Sequence, residues 1–384
     1  MKKIGKEVLF LKTGKMNPRN GESTMIRLKD GRIMLAYTEY CGEDGEDHGT
    51  ARISVTYSAD EGESWSPSSI LLNKPVDAQN IMSPSLFRLK DGALGMVYLR
   101  KDVDEDFGVT CVPQFIRSED EGESFGEAVS CGFPSGYYCS VNDSVTVTRE
   151  GRIYLPTSYT GERRDAMKKM NPAPIPHVSD IRTAYSDDNG KTWQVLDKVL
   201  KSPYSNPKGL FEPGIYEHEN GDLWLYFRTA FGHQYDSTSS DKGKTWTPVE
   251  PNCRFTSPDS PMRVKRVGDY VAAVYNPIGY NCLQWATETW GSPKRTPIVL
   301  SLSRDDGRSF TDRSMNASNA GFLDLAKHTY LLEDDLSESY CYPSIQEVKD
   351  GLLISYYHSD GDARCLNASK VIKIYNDEIK EGTV

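Results

Sequence analysis

Six short apolar runs recur along the chain, and each one follows a tight turn. The runs are IMLAY, ALGMVYL, IYLPTSY, LWLYFRT, YVAAVYN and LLISYYH. The turns before them are Asp30-Gly31, Asp91-Gly92, Glu150-Gly151, Asn220-Gly221, Gly268-Asp269 and Asp350-Gly351. Asp-Gly and Asn-Gly between β-rich runs are hairpin signals. The pattern therefore predicts six β-hairpins spaced along the chain.

A second motif alternates with these hairpins. It reads Ser-x-Asp-x-Gly-x-Ser/Thr-Trp/Phe and occurs five times, at 58–65, 118–125, 186–193, 239–246 and 303–310. Its Asp side chain can accept hydrogen bonds from backbone amides of its own turn, and its Gly permits a positive φ. We therefore predict that this octapeptide is a structural turn between two strands, with the aromatic residue as its anchor.

The two motifs together define a repeating unit of four strands. Each unit reads strand, Asp-Gly-type turn, strand, long loop, strand, octapeptide turn, strand, and six units in 384 residues give about 64 residues each. A radial array of four-stranded antiparallel sheets is a β-propeller. The sequence thus predicts an all-β fold, a single six-bladed propeller domain over residues 1–384. The N-terminal segment KEVLFLK is expected to supply the outer strand that closes the ring.

The topology of such a blade assigns its loops to two faces. Both kinds of turn lie on one face, whereas the starts of the first strands and the long loops lie on the other. Functional residues are therefore expected on this second face, near the axis. The long loop at 160–180 is a candidate lid or subunit contact. A second insertion, at 315–339, has helical character in GFLDLAKHTYLL.

Composition narrows the class of protein. The chain has 55 acidic and 45 basic residues, so its net charge of −10 argues against nonspecific nucleic-acid binding. No run of 18 apolar residues is present, and the start lacks the apolar core of a secretory signal. We therefore expect a cytoplasmic protein without membrane contact, and a homo-oligomer is compatible with this composition. The eight cysteines show no zinc-ligand spacing, and no metal or cofactor is expected.

Charged residues on the predicted loop face suggest a ligand. Arg19, Arg228 and Arg295 come from three different blades but face one axis, and converging guanidinium groups suit an anion such as a carboxylate. Glu212 and a tyrosine also stand at the starts of two inner strands. A tyrosine is a poor nucleophile unless a neighbouring carboxylate takes its proton.

These residues resemble the sialidase (neuraminidase) superfamily. The octapeptide is similar to that superfamily's Asp-box, or BNR repeat. The segment FEPGIYEHENGDLWLYFRTAFGHQYDSTSSDKGKTW resembles the sialidase stretch in which a glutamate, here Glu212, precedes an arginine, here Arg228. KRTPIVLSLSRDDGRSF resembles the segment of the last triad arginine, here Arg295, and YCYPSIQEVKDGLLISYY that of the nucleophilic tyrosine, here Tyr342. Segments RNGE, DHGTA and MSPSL look like those of bacterial "sialidase family" proteins.

The resemblance implies a retaining exo-glycosidase that acts on a glycan or small sugar acid, with sialic acid as the default. It implies that Arg19, Arg228 and Arg295 bind the substrate carboxylate, that Glu212 deprotonates Tyr342, and that Tyr342 attacks the anomeric carbon. Asp47 would then protonate the leaving oxygen. The further candidate substrate-binding residues are Glu22, His48, Gln234 and Tyr235.

Some alternatives stay open from the sequence. Tyr340 competes with Tyr342 as nucleophile, and Asp44 competes with Asp47 as acid. The chain reads RNGESTMIRL where sialidases carry Phe/Tyr-Arg-Ile-Pro, which places Glu22 beside the first arginine. This departure favours a propeller hydrolase or lyase for another sugar acid or a neutral glycan. A non-catalytic carbohydrate-binding propeller is the alternative from a different functional class.

Overall fold

Six antiparallel sheets form the blades of a β-propeller, as the repeats predict. The structure is a computed structural model that describes residues 3–104, 108–161, 178–204, 208–279, 295–310, 329–359 and 366–380. Strand β1 (Lys6–Leu11) comes first along the chain. Blade 1 contains β2 (Asn20–Arg27), β3 (Ile33–Tyr40), β4 (Ala51–Ser58) and β5 (Ser69–Leu72). Blade 2 contains β6 (Asn80–Arg88), β7 (Leu94–Asp104), β8 (Gly108–Ser118) and β9 (Val129–Ser130).

Blade 3 differs from the others because its inner strand is split. It contains β10 (Tyr138–Cys139), β11 (Thr146–Val147), β12 (Ile153–Tyr159), β13 (Asp180–Ser186) and β14 (Gln194–Val195). Both β10 and β11 pair with β12, and the residues between them leave the sheet. Blade 4 is regular, with β15 (Phe211–Glu217), β16 (Leu223–Arg228), β17 (His233–Ser239) and β18 (Glu250–Thr256).

The last two blades complete the ring. Blade 5 contains β19 (Arg263–Val267), β20 (Tyr270–Tyr275), β21 (Ile298–Ser303) and β22 (Thr329–Glu333). Blade 6 contains β23 (Tyr340–Val348), β24 (Gly351–His358) and β25 (Ala368–Tyr375), and α1 (Asn376–Lys380) follows it. Strand β1 pairs antiparallel with β25 as the outermost strand of blade 6, so the prediction that the N-terminal segment closes the ring is confirmed.

The sequence suggests helix within 315–339. This prediction is wrong for the part of the segment that the structure describes. Thr329–Glu333 forms the outer strand of blade 5 and pairs with β21. Tyr330 and Leu332 pack into the core between blades 5 and 6, while Leu331 packs between blades 4 and 5. Alternating burial on two sides suits a strand, so tertiary packing overrides the local helical pattern. Residues 311–328 lie outside the described part.

The hydrophobic core lies between neighbouring blades. In β20, Ala272 and Val274 pack towards blade 6, whereas Val271 and Ala273 pack towards blade 4. Successive side chains of a strand point to opposite faces of its sheet. A blade between two neighbours therefore buries both faces, which explains why the second strand of each unit is a continuous apolar run.

The octapeptide turns lie on the same face as the Asp-Gly-type turns, as predicted. In the first copy, Asp60 Oδ1 accepts from the Ser64 amide at 2.9 Å and Ser58 Oγ accepts from the Gly62 amide at 2.8 Å. An octapeptide turn can also contact the neighbouring blade. Glu121 of the second copy accepts from the amide of Lys29, beside the blade 1 turn, at 2.8 Å.

Candidate active site

Six non-glycine residues with positive φ lie in, or next to, the first part of the inner strand of each blade. Their φ values run from 44° to 56°, and the residues are Glu22, Ser83, Asp143, Glu212, Asp259 and Tyr342. Each is followed by Ser or Pro. Left-handed backbone costs a non-glycine residue about 1–2 kcal/mol. Such conformations cluster at functional sites, so their recurrence directs attention to the loop-face end of the axis.

Tyr342 and Glu212 meet there although 130 positions separate them along the chain. The Tyr342 hydroxyl donates to Glu212 Oε1 at 2.6 Å. Register shifts in both strands, between Cys341 and Ser344 and between Phe211 and Gly214, turn the two side chains out of the regular sheet. Burial raises the pKa of Tyr342 well above its usual range, and the Glu212 carboxylate raises it further.

Arg228 connects this pair to a second carboxylate. Its Nη1 donates to Glu212 Oε2 at 2.6 Å and lies 3.5 Å from the Tyr342 hydroxyl, while its Nε donates to Asp259 Oδ1 at 2.6 Å. Lys208 Nζ binds the other oxygen of Asp259 at 2.5 Å. Burial raises the pKa of Asp259, but Arg228 and Lys208 outweigh it and leave the pKa well below its usual range. Asp259 therefore holds Arg228 in position as a permanent anion.

Arg295 approaches Tyr342 from the side of blade 5. Its guanidinium carbon lies 5.7 Å from the centre of the Tyr342 ring, and its Nη1 donates to Cys341 Sγ at 2.9 Å. Only 6% of Arg295 is exposed. Its Nε is buried and makes no hydrogen bond within the described part of the chain. A buried donor without a partner is costly, and an anion bound here would satisfy it.

Arg19 occupies the opposite side, on blade 1. Its Nε donates to the Tyr357 hydroxyl at 3.0 Å, and the Tyr357 ring stands edge-on to Tyr342 with centroids 5.6 Å apart. Gly21 makes this packing possible, because a Cβ there would stand 1.7 Å from the Tyr357 ring. The structure thus brings Arg228 and Arg295 against Tyr342, and Arg19 reaches the same site through the Tyr357 ring.

Two acidic residues accompany Arg19. Its Nη1 donates to Asp47 Oδ1 at 2.7 Å, and this guanidinium holds the pKa of Asp47 well below its usual range. The Asp47 side chain is 67% exposed on the blade 1 loop. Glu22 Oε1 lies 3.9 Å from Arg19 Nη2, and the other oxygen of Glu22, Oε2, accepts from the Ser83 hydroxyl. Burial raises the pKa of Glu22 to about 7, against the opposing effect of Arg19.

The competing candidates occupy different surroundings. Tyr340 is 2% exposed and belongs to the core between blades 5 and 6, where its ring packs edge-on against Tyr356. Asp44 is exposed, and its Oδ1 accepts from the Glu46 amide at 2.9 Å within the loop. Of the two tyrosines, Tyr342 is the one that contacts Glu212.

The three remaining sequence-predicted residues have structural contacts. Gln234 is 1% exposed and its amide donates to the Ser257 hydroxyl and the Ser260 carbonyl, at 2.9 and 2.7 Å. Tyr235 belongs to the core between blades 3 and 4. His48 is half-buried with its ring edge-on to Tyr137. The structure does not bring these three to Tyr342, and the loop at 162–177 lies outside the described residues.

Sequence reasoning missed Asp259, Lys208 and Tyr357 as members of this site. Asp259 sits in SPDSPMRV, a segment without strand pattern. A signal was nevertheless present, because an acidic residue, Ser or Tyr followed by Ser or Pro begins the inner strand in every blade. Comparing the six units at that position finds Asp259 and also Asp143.

Comparisons with known proteins identify the family and the fold. The chain belongs to the BNR repeat-like domain family, whose model matches residues 31–355. No curated protein is detectably similar in sequence. Among solved structures, a protein of unknown function from Dyadobacter fermentans is 18% identical with a TM-score of 0.68, covering 97% of this chain and 99% of that chain.

Two sialidases share the fold at lower identity. The Hadza microbial sialidase Hz136 is 14% identical, with a TM-score of 0.69, over 98% of this chain and 69% of that one. The Trypanosoma rangeli sialidase is 15% identical, with a TM-score of 0.67; 98% of this chain is covered but only 60% of that chain. At these identities the likeness establishes a sialidase-like propeller fold.

The described ranges contain no group of three or more His, Cys, Asp or Glu residues placed to hold a metal ion. In the same ranges, no helix has the length and apolar character that crossing a membrane requires.

Proposed function

We propose that this protein is a retaining exo-glycosidase of the sialidase type, acting on a terminal acidic sugar, with sialic acid as the first candidate. The hydrogen bond of 2.6 Å between the Tyr342 hydroxyl and Glu212 carries the proposal. A carboxylate nucleophile would be repelled by the carboxylate on the anomeric carbon of sialic acid, whereas a neutral tyrosine is not. Glu212 is placed to take the tyrosine proton as attack begins.

Substrate binding would use the arginines around Tyr342. Arg295 offers a buried Nε without a hydrogen-bond partner among the described residues, and Arg228 is fixed by Glu212 and Asp259. Arg19 completes the group from blade 1. A substrate carboxylate among them places the anomeric carbon near the Tyr342 hydroxyl.

The reaction then runs in two displacements. Tyr342 Oη bonds to the anomeric carbon as its proton passes to Glu212, and the bond to the leaving oxygen breaks as that oxygen gains a proton from Asp47. Water next attacks the same carbon and gives its proton to Asp47. The bond to Tyr342 breaks, and Tyr342 recovers its proton from Glu212. Each displacement inverts the anomeric carbon, so the two together retain its configuration.

Asp47 needs a change of surroundings before it can act as the acid. Paired with Arg19, its pKa is far below neutral, so it carries no proton to give. A substrate carboxylate that binds Arg19 replaces Asp47 as its partner. Asp47 then loses the strongest of the charges that depress its pKa and can hold a proton beside the leaving oxygen. Substrate binding thus activates the acid.

Tyr342→Phe tests the proposal. We expect turnover of 4-methylumbelliferyl sialoside to fall at least about 100-fold, because the nucleophile is gone. The matched control is Tyr340→Phe, which removes a hydroxyl from the same strand outside the site. Covalent trapping gives an independent readout: 2,3-difluorosialic acid should add to a peptide that contains Tyr342. Unchanged turnover in Tyr342→Phe would remove this residue from the chemistry.

One observation favours a second substrate class. Glu22 is buried 3.9 Å from Arg19, so part of the arginine charge is already balanced by a carboxyl group. A panel of 4-methylumbelliferyl glycosides separates the possibilities. Release only from uronic-acid or neutral sugars would support a different glycosidase, and binding without release from any of them would support a carbohydrate-binding propeller.

A further inference from the structure

A cavity of about 400 Å³ opens along the propeller axis on the turn face, opposite the candidate active site. Inner-strand segments of all six blades form its walls. Much of the wall is apolar, with Leu86, Val145, Val147, Ile215 and Val264 among the lining residues. The arginine site is not part of this lining, so the cavity is a separate compartment.

Three charged groups lie at the inner end of this cavity. Arg263 Nε lies 3.5 Å from Asp143 Oδ2, and Lys265 Nζ lies 3.7 Å from Asp143 Oδ1. Asp143 also accepts from Thr24 and Ser344, at 3.2 and 3.0 Å. Two cations therefore share one carboxylate, which leaves one positive charge without a counter-ion in this group.

Arg263 also has hydrogen-bond donors to spare. It is 4% exposed, and its Nε and Nη1 are buried without a hydrogen bond anywhere in the described ranges. Burial lowers the pKa of Lys265, and the Arg263 charge lowers it further against the opposing effect of Asp143. The single carboxylate of Asp143 therefore faces two cations and a buried donor without a partner, so this end of the cavity can accommodate a second anion.

Three other arginines that line the cavity are already paired. Arg88 makes two bonds to Glu121, at 2.6 and 2.9 Å, Arg149 Nε lies 3.6 Å from Glu217, and Arg266 pairs with Asp306. They close the rim and are not free to hold a ligand. The binding charge therefore belongs to Arg263 and Lys265.

We propose that this axial cavity binds a small organic anion, with a carboxylate or phosphate head on Arg263 and Lys265 and an apolar body against the walls. The head accepts from Arg263 Nη1, which makes no hydrogen bond among the described residues, and balances the extra charge. The apolar wall favours a ligand with a hydrophobic or aromatic body over a bare inorganic ion. The inference does not depend on the proposed glycosidase activity.

Such a ligand would also lie next to the residues that hold the Tyr342 backbone in place. Asp143 follows Asn142, whose amide donates to the Tyr342 carbonyl at 3.2 Å and to the Ser23 carbonyl at 2.6 Å. Ser344, which donates to Asp143, lies two residues after Tyr342. The two compartments therefore share the wall formed by residues 142–143.

Calorimetric titration of the full chain tests the site, with phenyl phosphate, benzoate and inorganic phosphate as probes. We expect phenyl phosphate or benzoate to bind with one-to-one stoichiometry. Lys265→Gln should weaken that binding at least about tenfold, because a charge-assisted contact is lost. The Lys265 side chain is 34% exposed, so this variant is expected to fold. The matched control is Lys242→Gln, an exposed lysine on the same face.

The variant Arg295→Gln shows whether the probe binds at the loop face or in the axial cavity. If the proposal holds, phenyl phosphate binding survives Arg295→Gln and the Lys242 control but not Lys265→Gln. Loss in Arg295→Gln with no change in Lys265→Gln would place the anion at the loop face and overturn the proposal. Saturable binding of inorganic phosphate as tight as that of phenyl phosphate would overturn the organic-ligand assignment. Absence of saturable binding by all three probes would show that the proposed anion site does not exist.

Discussion

Two buried carboxyl groups beside the candidate site, Glu22 and Asp259, have pKa values displaced in opposite directions. Asp259 contacts Arg228 and Lys208 at 2.6 and 2.5 Å, and direct pairing with two cations overcomes its burial. Among the described residues, Glu22 has a single ion-pair partner within 4 Å, Arg19 at 3.9 Å, and burial prevails. Distance to the nearest cation therefore decides which carboxyl group is a fixed anion and which titrates near neutrality.

Glu22→Gln should make stability less dependent on pH. The pKa of Glu22 is raised from 4.5 to about 7, so between these values the native state is protonated where the unfolded state is charged. Stability is then lost as pH rises through this window, by up to about 3 kcal/mol. The melting temperature of Glu22→Gln relative to the parent protein should rise between pH 5 and pH 8. A difference in melting temperature that stays constant between pH 5 and pH 8 would contradict the raised pKa of Glu22. The control is Glu46→Gln, which changes an exposed glutamate.

Asp47→Asn should impair turnover without loss of stability. The side chain is exposed, and exposed ion pairs contribute about 0–1 kcal/mol, so the melting temperature should barely move. Loss of a general acid costs about 100-fold or more. The loss should be larger for sialyllactose than for the 4-methylumbelliferyl sialoside, whose leaving group needs less protonation. Equal losses for both substrates would assign Asp47 to binding, and Asp44→Asn is the control from the same loop.

The octapeptide turns connect blades as well as strands. Their fourth residues, at positive φ, include Glu61, Glu121, Lys242 and Asp306. Each of these contacts the Asp-Gly-type turn region of the preceding blade, through Lys349, Lys29, Glu150 and Glu219 respectively. The turn thus joins the sheet of one blade to the next, which explains its repetition far from the candidate site.

Glu121→Gln tests this role of the turn. Arg88 lowers the pKa of Glu121 to about 2, so its ionised form stabilises the native state above pH 4.5, and that stability is lost as pH falls towards 2. We expect about 1–3 kcal/mol of destabilisation at pH 7 and a smaller effect at pH 3, measured by denaturant unfolding. Turnover should not change. Glu123→Gln, in the same turn but 72% exposed, is the control. An equal effect of both variants would contradict the inter-blade contact.

The whole ring depends on closure by its first strand. Five blades use consecutive strands, whereas blade 6 takes its outer strand from Lys6–Leu11, so both ends of the described chain meet in one sheet. Leu11 also packs into the core between blades 6 and 1. Without β1, strand β25 would become an exposed edge with unpaired backbone groups.

Deletion of residues 1–12 should therefore destabilise the entire propeller. We expect a fall in melting temperature together with oligomers in size-exclusion chromatography, because the open edge can pair with another chain. Glu7→Ala changes an exposed side chain of the same strand and is expected to leave both measurements unaltered. A monomer with the parent melting temperature would show that closure through β1 is dispensable.

The sequence alone determined the six blades and their two kinds of turn, because turn chemistry is local and repeats in each unit. It also indicated Tyr342, Glu212 and the three arginines, through resemblance and position at strand ends. Only the tertiary structure joined Tyr342 to Glu212, paired Arg19 with Asp47 and revealed Asp259 and Lys208 behind Arg228. These contacts depend on ring closure and on left-handed residues at the strand starts. No local pattern encodes the distance between side chains that distant blades bring together.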